Sequence, residues 1–177
     1  PMTSYIFEGD RSFSLEHIRQ EYPVYGTTDY RHPAIEIMQE NGSNISEFKY
    51  VGYEILKGKP SLKGLPATYT ESGEEAETLK IILKDNLTGA KLTLLYTIFS
   101  KGSAIARSAH ICNAGEKVLH LQTMMSLNLD LPDKDYVWMQ LSGAWSRERY
   151  VKNRILEQGI TAIDSMRGNS SHEHNPF

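Results

Sequence analysis

The chain has 177 residues, of which 40% are hydrophobic and 23% charged, with a formal net charge of -3. That is the composition of a folded globular chain with one sizeable core, not of a disordered or fibrous one. It lacks the basic face that nucleic-acid binding requires, and no apolar run reaches membrane-spanning length.

Cysteine usage agrees with a reducing compartment. The single cysteine, Cys112, cannot close an internal disulfide. Its neighbours in ARSAHICNAG are strand-like, so it is expected to be a small buried side chain rather than a nucleophile. The opening PMTSYIFEGD carries neither the basic nor the apolar region of a signal peptide, so a cytoplasmic location is expected.

In chain order, FSLEHIRQ (Phe13 to Gln20) could form two helical turns before Tyr22-Pro23 ends them. AIEIMQE and ISEFKYVGYEILKG flank Asn41-Gly42-Ser43 and read as strands joined by a turn. Lys57 to Glu75 is loop-rich, and Glu74 to Leu79 offers at most one helical turn. TLKIILKD and AKLTLLYTIF are separated by Asp85-Asn86-Leu87-Thr88-Gly89, a hairpin signal. The second of these runs puts Leu92, Leu94, Tyr96 and Ile98 on one face. AIARSAHICN leads into Asn113-Ala114-Gly115-Glu116, a further hairpin signal, and then into KVLHLQTMMSLNLDL. YVWMQLSGAW follows, then SRERYVKNR, whose interleaved charges suit a solvated strand face. ITAIDSMRG is another short alternating run. Some ten short strands between turn signals, with almost no helix, predict an all-β antiparallel β-sandwich.

Three stretches could carry chemistry. In GNSSHEHNPF, His172 and His174 alternate and could chelate a metal, but a site needs three or four ligands and the other histidines are isolated. A polar loop with no metal is the expectation. In YGTTDYRHP (Tyr25 to Pro33), Asp29 and Arg31 stand among Tyr25, Tyr30 and His32. A carboxylate and a guanidinium supply directional hydrogen bonds, and aromatic faces pack on a pyranose; on the residues alone, an ordinary Asp–Arg ion pair in the loop is the simpler reading. In LNLDLPDKDYVWMQLSGAW, Asp130, Asp133 and Asp135 could be a calcium loop or paired catalytic carboxylates. The EF-hand's glycine and distal glutamate are absent, and sequence spacing does not give a carboxylate separation. An aspartate-rich turn started by Leu131-Pro132 is the simpler reading. Trp138 and Trp145 are expected to pack.

FKYVGYEILKGKPSLKGLPATY, EAETLKIILKDNLTGAKLTLLYTIF, LNLDLPDKDYVWMQLSGAWSRERYVKNRILEQGI and SMRGNSSHEHNPF together resemble the amino-terminal domain of bacterial family-thirty-six α-galactosidases. These are glycoside hydrolases of raffinose and melibiose. The likeness runs from about Tyr25 onward and includes LPATY, the Asp-Leu-Pro run with GAW, and RGNSSHxHNPF in that order. It implies a supersandwich-type β-sandwich across residues 1–177, incomplete here. It also implies a separate (β/α)8 barrel that carries two catalytic aspartates, so this chain by itself is expected to be inactive and to self-associate through open edges. No metal or organic cofactor is implied. Expected partners are an α-galactoside substrate, the enzyme's own barrel and neighbouring subunits of a homo-oligomer. Asp29, and second Arg31, are the residues the resemblance carries over as substrate contacts. The other reading is a carbohydrate-binding β-sandwich module without hydrolase activity, which would need an exposed aromatic platform.

Overall fold

The computed structural model describes residues 19–26, 31–64, 67–132 and 134–164, together with the backbone of His174 and Asn175. Within these residues the chain is all β, with nine strands and no helix. They are β1 (Ile35–Gln39), β2 (Phe48–Lys57), β3 (Ala76–Asp85), β4 (Ala90–Phe99), β5 (Ala104–Asn113), β6 (Leu119–Met124), β7 (Val137–Ala144), β8 (Arg147–Ile155) and β9 (His174–Asn175). The chain divides into two compact units, Pro1–Asp130 and Leu131–Phe177.

The first unit holds a four-stranded sheet, β2-β3-β4-β5, and a two-stranded sheet, β1-β6. Every ladder is antiparallel. Period-two alternation selects the inner face. Leu83, Leu92 and Ile111 lie in one cross-strand row and Ile81, Leu94 and Ala109 in the next. Against these rows pack Ile35 and Ile37 of β1, and the four residues Ile35, Ile37, Leu92 and Leu94 form the buried centre. Full burial of each such side chain contributes roughly 1.5–3 kcal/mol. The same face continues past the area β1 and β6 cover, so Ile98 is 58% exposed although it shares a side with Leu92 and Leu94.

The β3–β4 hairpin forms as its sequence predicts. Asp85 Oδ1 accepts from Leu87 N (2.8 Å), Gly89 N donates to Asp85 O (2.9 Å), and Gly89 takes the left-handed φ of 78° that favours glycine. Two other turn signals also form turns between strands, but neither closes a hairpin, which is expected only of Asn113-Ala114-Gly115-Glu116. Asn41-Gly42-Ser43 does make a tight turn, with Gly42 N on Gln39 O at 2.9 Å. Yet β1 pairs with β6 and β2 with β3, so this turn carries the chain from one sheet to the other. Asn113-Ala114-Gly115-Glu116 does likewise between β5 and β6. A turn reverses the chain, but which strand accepts the ladder depends on where each apolar face can be buried.

Other expectations change in detail. Glu74 to Leu79 is no helical turn, because β3 begins at Ala76. Glu75 instead accepts from the N–H groups of Glu71 (3.0 Å) and Ser72 (3.3 Å). Residues 160–164 of ITAIDSMRG form no strand. Cys112 is exposed, not buried: it alternates away from Ile111 and pairs with Lys91 on the outer face. The possible helix over Phe13 to Gln20 falls mostly outside the described residues.

The second unit is a three-stranded sheet, β8-β7-β9. Every residue of β8 is exposed, as SRERYVKNR suggests. Trp138 is half-buried, but Trp145, at the tip of the β7–β8 hairpin, is 84% exposed and does not pack as expected. Its neighbour Ser146 has φ 63°, the conformation a tight reversal imposes. The backbone of His174 and Asn175 pairs with Ser142 and Leu141, so part of the HNPF stretch adds a strand to this sheet.

Candidate functional site

The described residues of YGTTDYRHP, 25–26 and 31–33, belong to the first unit, and the chain on either side of them is tied into it. Pro23 O accepts from Ala34 N (2.8 Å), and Val24 bridges Ile35. Tyr25 O accepts from Ser46 N (3.4 Å). Gly26 has φ 95°, and a Cβ there would come within 2.8 Å of Ile45, so glycine suits the closed base of the loop. Tyr25 and His32 are exposed, and the His32 ring lies 3.1 Å, through Nδ1, from Pro33 O. Asp29 and Tyr30 lie outside the described residues.

Arg31 is described, and Asp130 is one of its partners. Arg31 Nη1 donates to Asp130 Oδ2, which also accepts the backbone N–H of Gln20 at 2.8 Å. The two side chains are 23% and 22% exposed, so the pair is largely screened from water but not fully buried. An Arg–carboxylate contact is charge-assisted and directional, so it fixes the guanidinium as well as neutralising it.

Behind this pair stands a second polar group rooted in the sheet. Asn128 Nδ2 donates to Gln20 O (2.8 Å), and Arg107 Nη1 donates to Asn128 O (2.7 Å). Arg107 Nη2 reaches Glu21 Oε1 at 2.5 Å, and the Tyr96 hydroxyl donates to the same oxygen at 2.7 Å. Burial above all, and then the Glu21 carboxylate, hold the Tyr96 phenol well above its ordinary value, with Arg107 opposing. Burial also raises Tyr22, whose hydroxyl donates to Met125 O. Three chain segments, around Gln20, Arg31 and Asn128, therefore meet at one end of the first unit.

Of the aspartates singled out in LNLDLPDKD, Asp130 is committed to Arg31 and Gln20. Asp133 lies outside the described residues, and Asp135 belongs to the second unit. His172 is likewise outside them, and only the backbone of His174 is described. Among the described residues no group of three or more His, Cys, Asp or Glu could hold a metal ion. Sequence reading did not single out Arg107, yet a signal was present. Arg107 takes the same side of β5 as Ile105, Ala109 and Ile111, and a charge in such a row requires polar partners.

Comparison with known proteins identifies the family. The model of the glycosyl hydrolase family 36 N-terminal domain matches residues 2–177. The chain belongs to this family. It is 49% identical over 168 residues to α-galactosidase AgaA of Geobacillus stearothermophilus, covering 95% of this chain and 23% of AgaA. It is 39% identical over 168 residues to α-galactosidase Mel36A of Lactobacillus acidophilus, again 95% of this chain and 23% of the relative. The crystal structure of AgaA superposes with a TM-score of 0.88 at 49% identity, over 94% of this chain and 23% of that one. A variant of AgaA has been crystallised with raffinose. The family 36 domain thus spans about a quarter of the length of the glycoside hydrolases it matches. No helix among the described residues is long and apolar enough to cross a membrane.

Proposed function

We propose that residues 1–177 are the amino-terminal domain of a cytoplasmic, homo-oligomeric α-galactosidase that removes terminal α-linked galactose from oligosaccharides such as raffinose. The observation that carries this reading is the 49% identity to AgaA across nearly the whole chain, which spans only 23% of that enzyme. On this reading the chemistry belongs to a separate catalytic barrel. Two carboxylates there, one nucleophile and one acid/base, would perform a retaining double displacement without metal or organic cofactor. The domain supports subunit assembly and walls the active-site pocket, and by itself it has no hydrolase activity.

Its contribution to the pocket is the loop that carries Asp29 and Arg31. Both would hydrogen-bond the bound sugar and orient it, rather than take part in bond cleavage. Support comes from the tied base of the loop and from the Asp130 contact that holds Arg31 at its surface.

The test uses the full-length enzyme, wild type and Asp29→Ala, with p-nitrophenyl α-galactoside and raffinose as substrates. A fall carried mainly by kcat/KM, with the oligomer intact, is expected. Unchanged kinetics on both substrates would reduce the domain to scaffolding. A wild type without α-galactosidase activity would overturn the family-based reading of the whole enzyme.

A second reading, a galactoside-binding module, draws on Tyr50 and Tyr53, exposed aromatics on edge strand β2. Saturable binding of galactose or raffinose by the 177-residue chain, followed by calorimetry, would favour it.

A further inference from the structure

We infer that Asp130 is a positioning residue for the substrate: it acts through Arg31, setting the guanidinium in place before the sugar arrives, and does not itself touch the sugar. This role rests on the proposed contact of Arg31 with the sugar. One carboxylate oxygen, Oδ2, accepts from both Arg31 Nη1 and the N–H of Gln20. Side chain and backbone donors from two separated segments thus converge on a single atom. A carboxylate so held cannot turn without losing both.

The anchor is itself fixed. Asn128 Nδ2 lies 3.5 Å from Asp130 Oδ1 and donates to Gln20 O at 2.8 Å. Arg107, on β5, donates to Asn128 O at 2.7 Å and packs over the Tyr96 ring. Asp130 is therefore linked through Asn128 to Arg107 on β5 of the four-stranded sheet. On the other side, Pro23–Ala34 and Tyr25–Ser46 backbone contacts close the base of the loop that bears Arg31. Asp130 is one of the contacts that restrict the side-chain torsions of Arg31.

An arginine free to sample its rotamers pays for ordering when it binds; one ordered beforehand does not. The consequence is kinetic and specific. Loss of Asp130 should weaken substrate binding through Arg31 and leave the barrel's chemistry intact, so KM should rise more than kcat falls.

The experiment measures kcat and KM for raffinose in the full-length enzyme carrying Arg31→Ala, Asp130→Ala, Asp130→Asn, or Arg31→Ala with Asp130→Ala. Active-site titration corrects for the folded fraction, and thermal unfolding is followed in parallel. Asp130→Ala is expected to raise KM by about tenfold with kcat little changed, because small misplacements of binding groups are amplified in this way. Asp130→Asn keeps an acceptor for Arg31 and Gln20 and should recover part of the loss. The double variant should have a KM no higher than that of Arg31→Ala alone, since Asp130 acts on the substrate only through Arg31. An Asp130→Asn enzyme also provides the reading if Asp130→Ala does not fold. A raised KM for Arg31→Ala with wild-type KM in both Asp130 variants overturns the positioning role and leaves the proposed sugar contact standing. A wild-type KM for Arg31→Ala overturns the contact and the positioning role together. Lowered thermal stability with KM unchanged per active site reduces Asp130 to a purely structural ion pair.

Discussion

Glu21 and Tyr96 are 75 positions apart, yet the Tyr96 hydroxyl donates to Glu21 Oε1 at 2.7 Å. Arg107 covers the tyrosine ring, its guanidinium carbon 4.7 Å from the centroid, and donates to the same carboxylate. This ties the segment entering the domain to the middle of β4. Because the Tyr96 phenol is raised above 10.0 by burial and by Glu21, folding favours its neutral form. The stability it provides is complete below the unfolded value of 10.0 and is lost as pH rises through the higher folded value. Thermal midpoints measured from pH 8 to 11 should therefore fall above about pH 10, and Tyr96→Phe should flatten that decline. At pH 7 the same substitution removes two hydrogen bonds, the one donated to Glu21 and the one accepted from Arg107 Nη2 at 3.3 Å, and should cost about 1–3 kcal/mol.

Thr78 and Thr97 form a buried polar pair on β3 and β4. Their hydroxyl oxygens are 2.8 Å apart, and Thr78 donates to Gly58 O at 2.7 Å. Thr78→Val strands an acceptor on Gly58 and disturbs Thr97, so urea unfolding should report a loss of about 1–3 kcal/mol. Adding Thr97→Val should cost less than its own single effect, since the second partner no longer has a bond to lose.

Leu92 and Ile98 share one face of β4 but not one environment. Leu92 lies in the buried centre, so Leu92→Ala should cost roughly 2–5 kcal/mol in denaturant unfolding. Ile98→Ala, at an exposed position, should stay within about 0.5 kcal/mol. Equal costs at the two sites would contradict the placement of β1 over only part of this face.

Gly89 ends the β3–β4 turn at φ 78°, and a Cβ there would lie 2.9 Å from the backbone of Gly115. Gly89→Ala meets both a left-handed conformation and a backbone neighbour that cannot easily give way. A loss of more than about 1 kcal/mol is expected by thermal unfolding. Gly42→Ala, with φ 81° and open space, should feel only the conformational part.

The uncovered end of the inner face carries Ile55 (67% exposed) and Ile105 (66% exposed) beside Ile98, and β2 and β5 are the edges of that sheet. Open edges and apolar faces promote association. The 177-residue chain should show a light-scattering mass that rises with concentration, and Ile55→Lys with Ile105→Lys should reduce it. A constant monomer mass at high concentration would contradict this.

The strands themselves were legible in the sequence because side-chain alternation is a local property. AKLTLLYTIF and AIARSAHICN became β4 and β5, β4 with Leu92, Leu94, Tyr96 and Ile98 on one face, and DNLTG became the turn between β3 and β4. The resemblance of the longer motifs likewise determined the family, since it rests on residue identity and order alone. Pairing was different. Nothing within AIEIMQE says that its partner is β6, more than 80 residues later, rather than β2; that choice is made by which apolar face lies open when the sheets meet. Cys112 and Trp145 are exposed for the same reason: alternation and composition name a side chain's type, but only the assembled layers decide what covers it. The loop with Asp29 and Arg31 stood out by its residue chemistry. That Arg31 meets Asp130, and that Asp130 is braced by Gln20, Asn128 and Arg107, depends on three distant segments arriving at one point, which only tertiary structure decides.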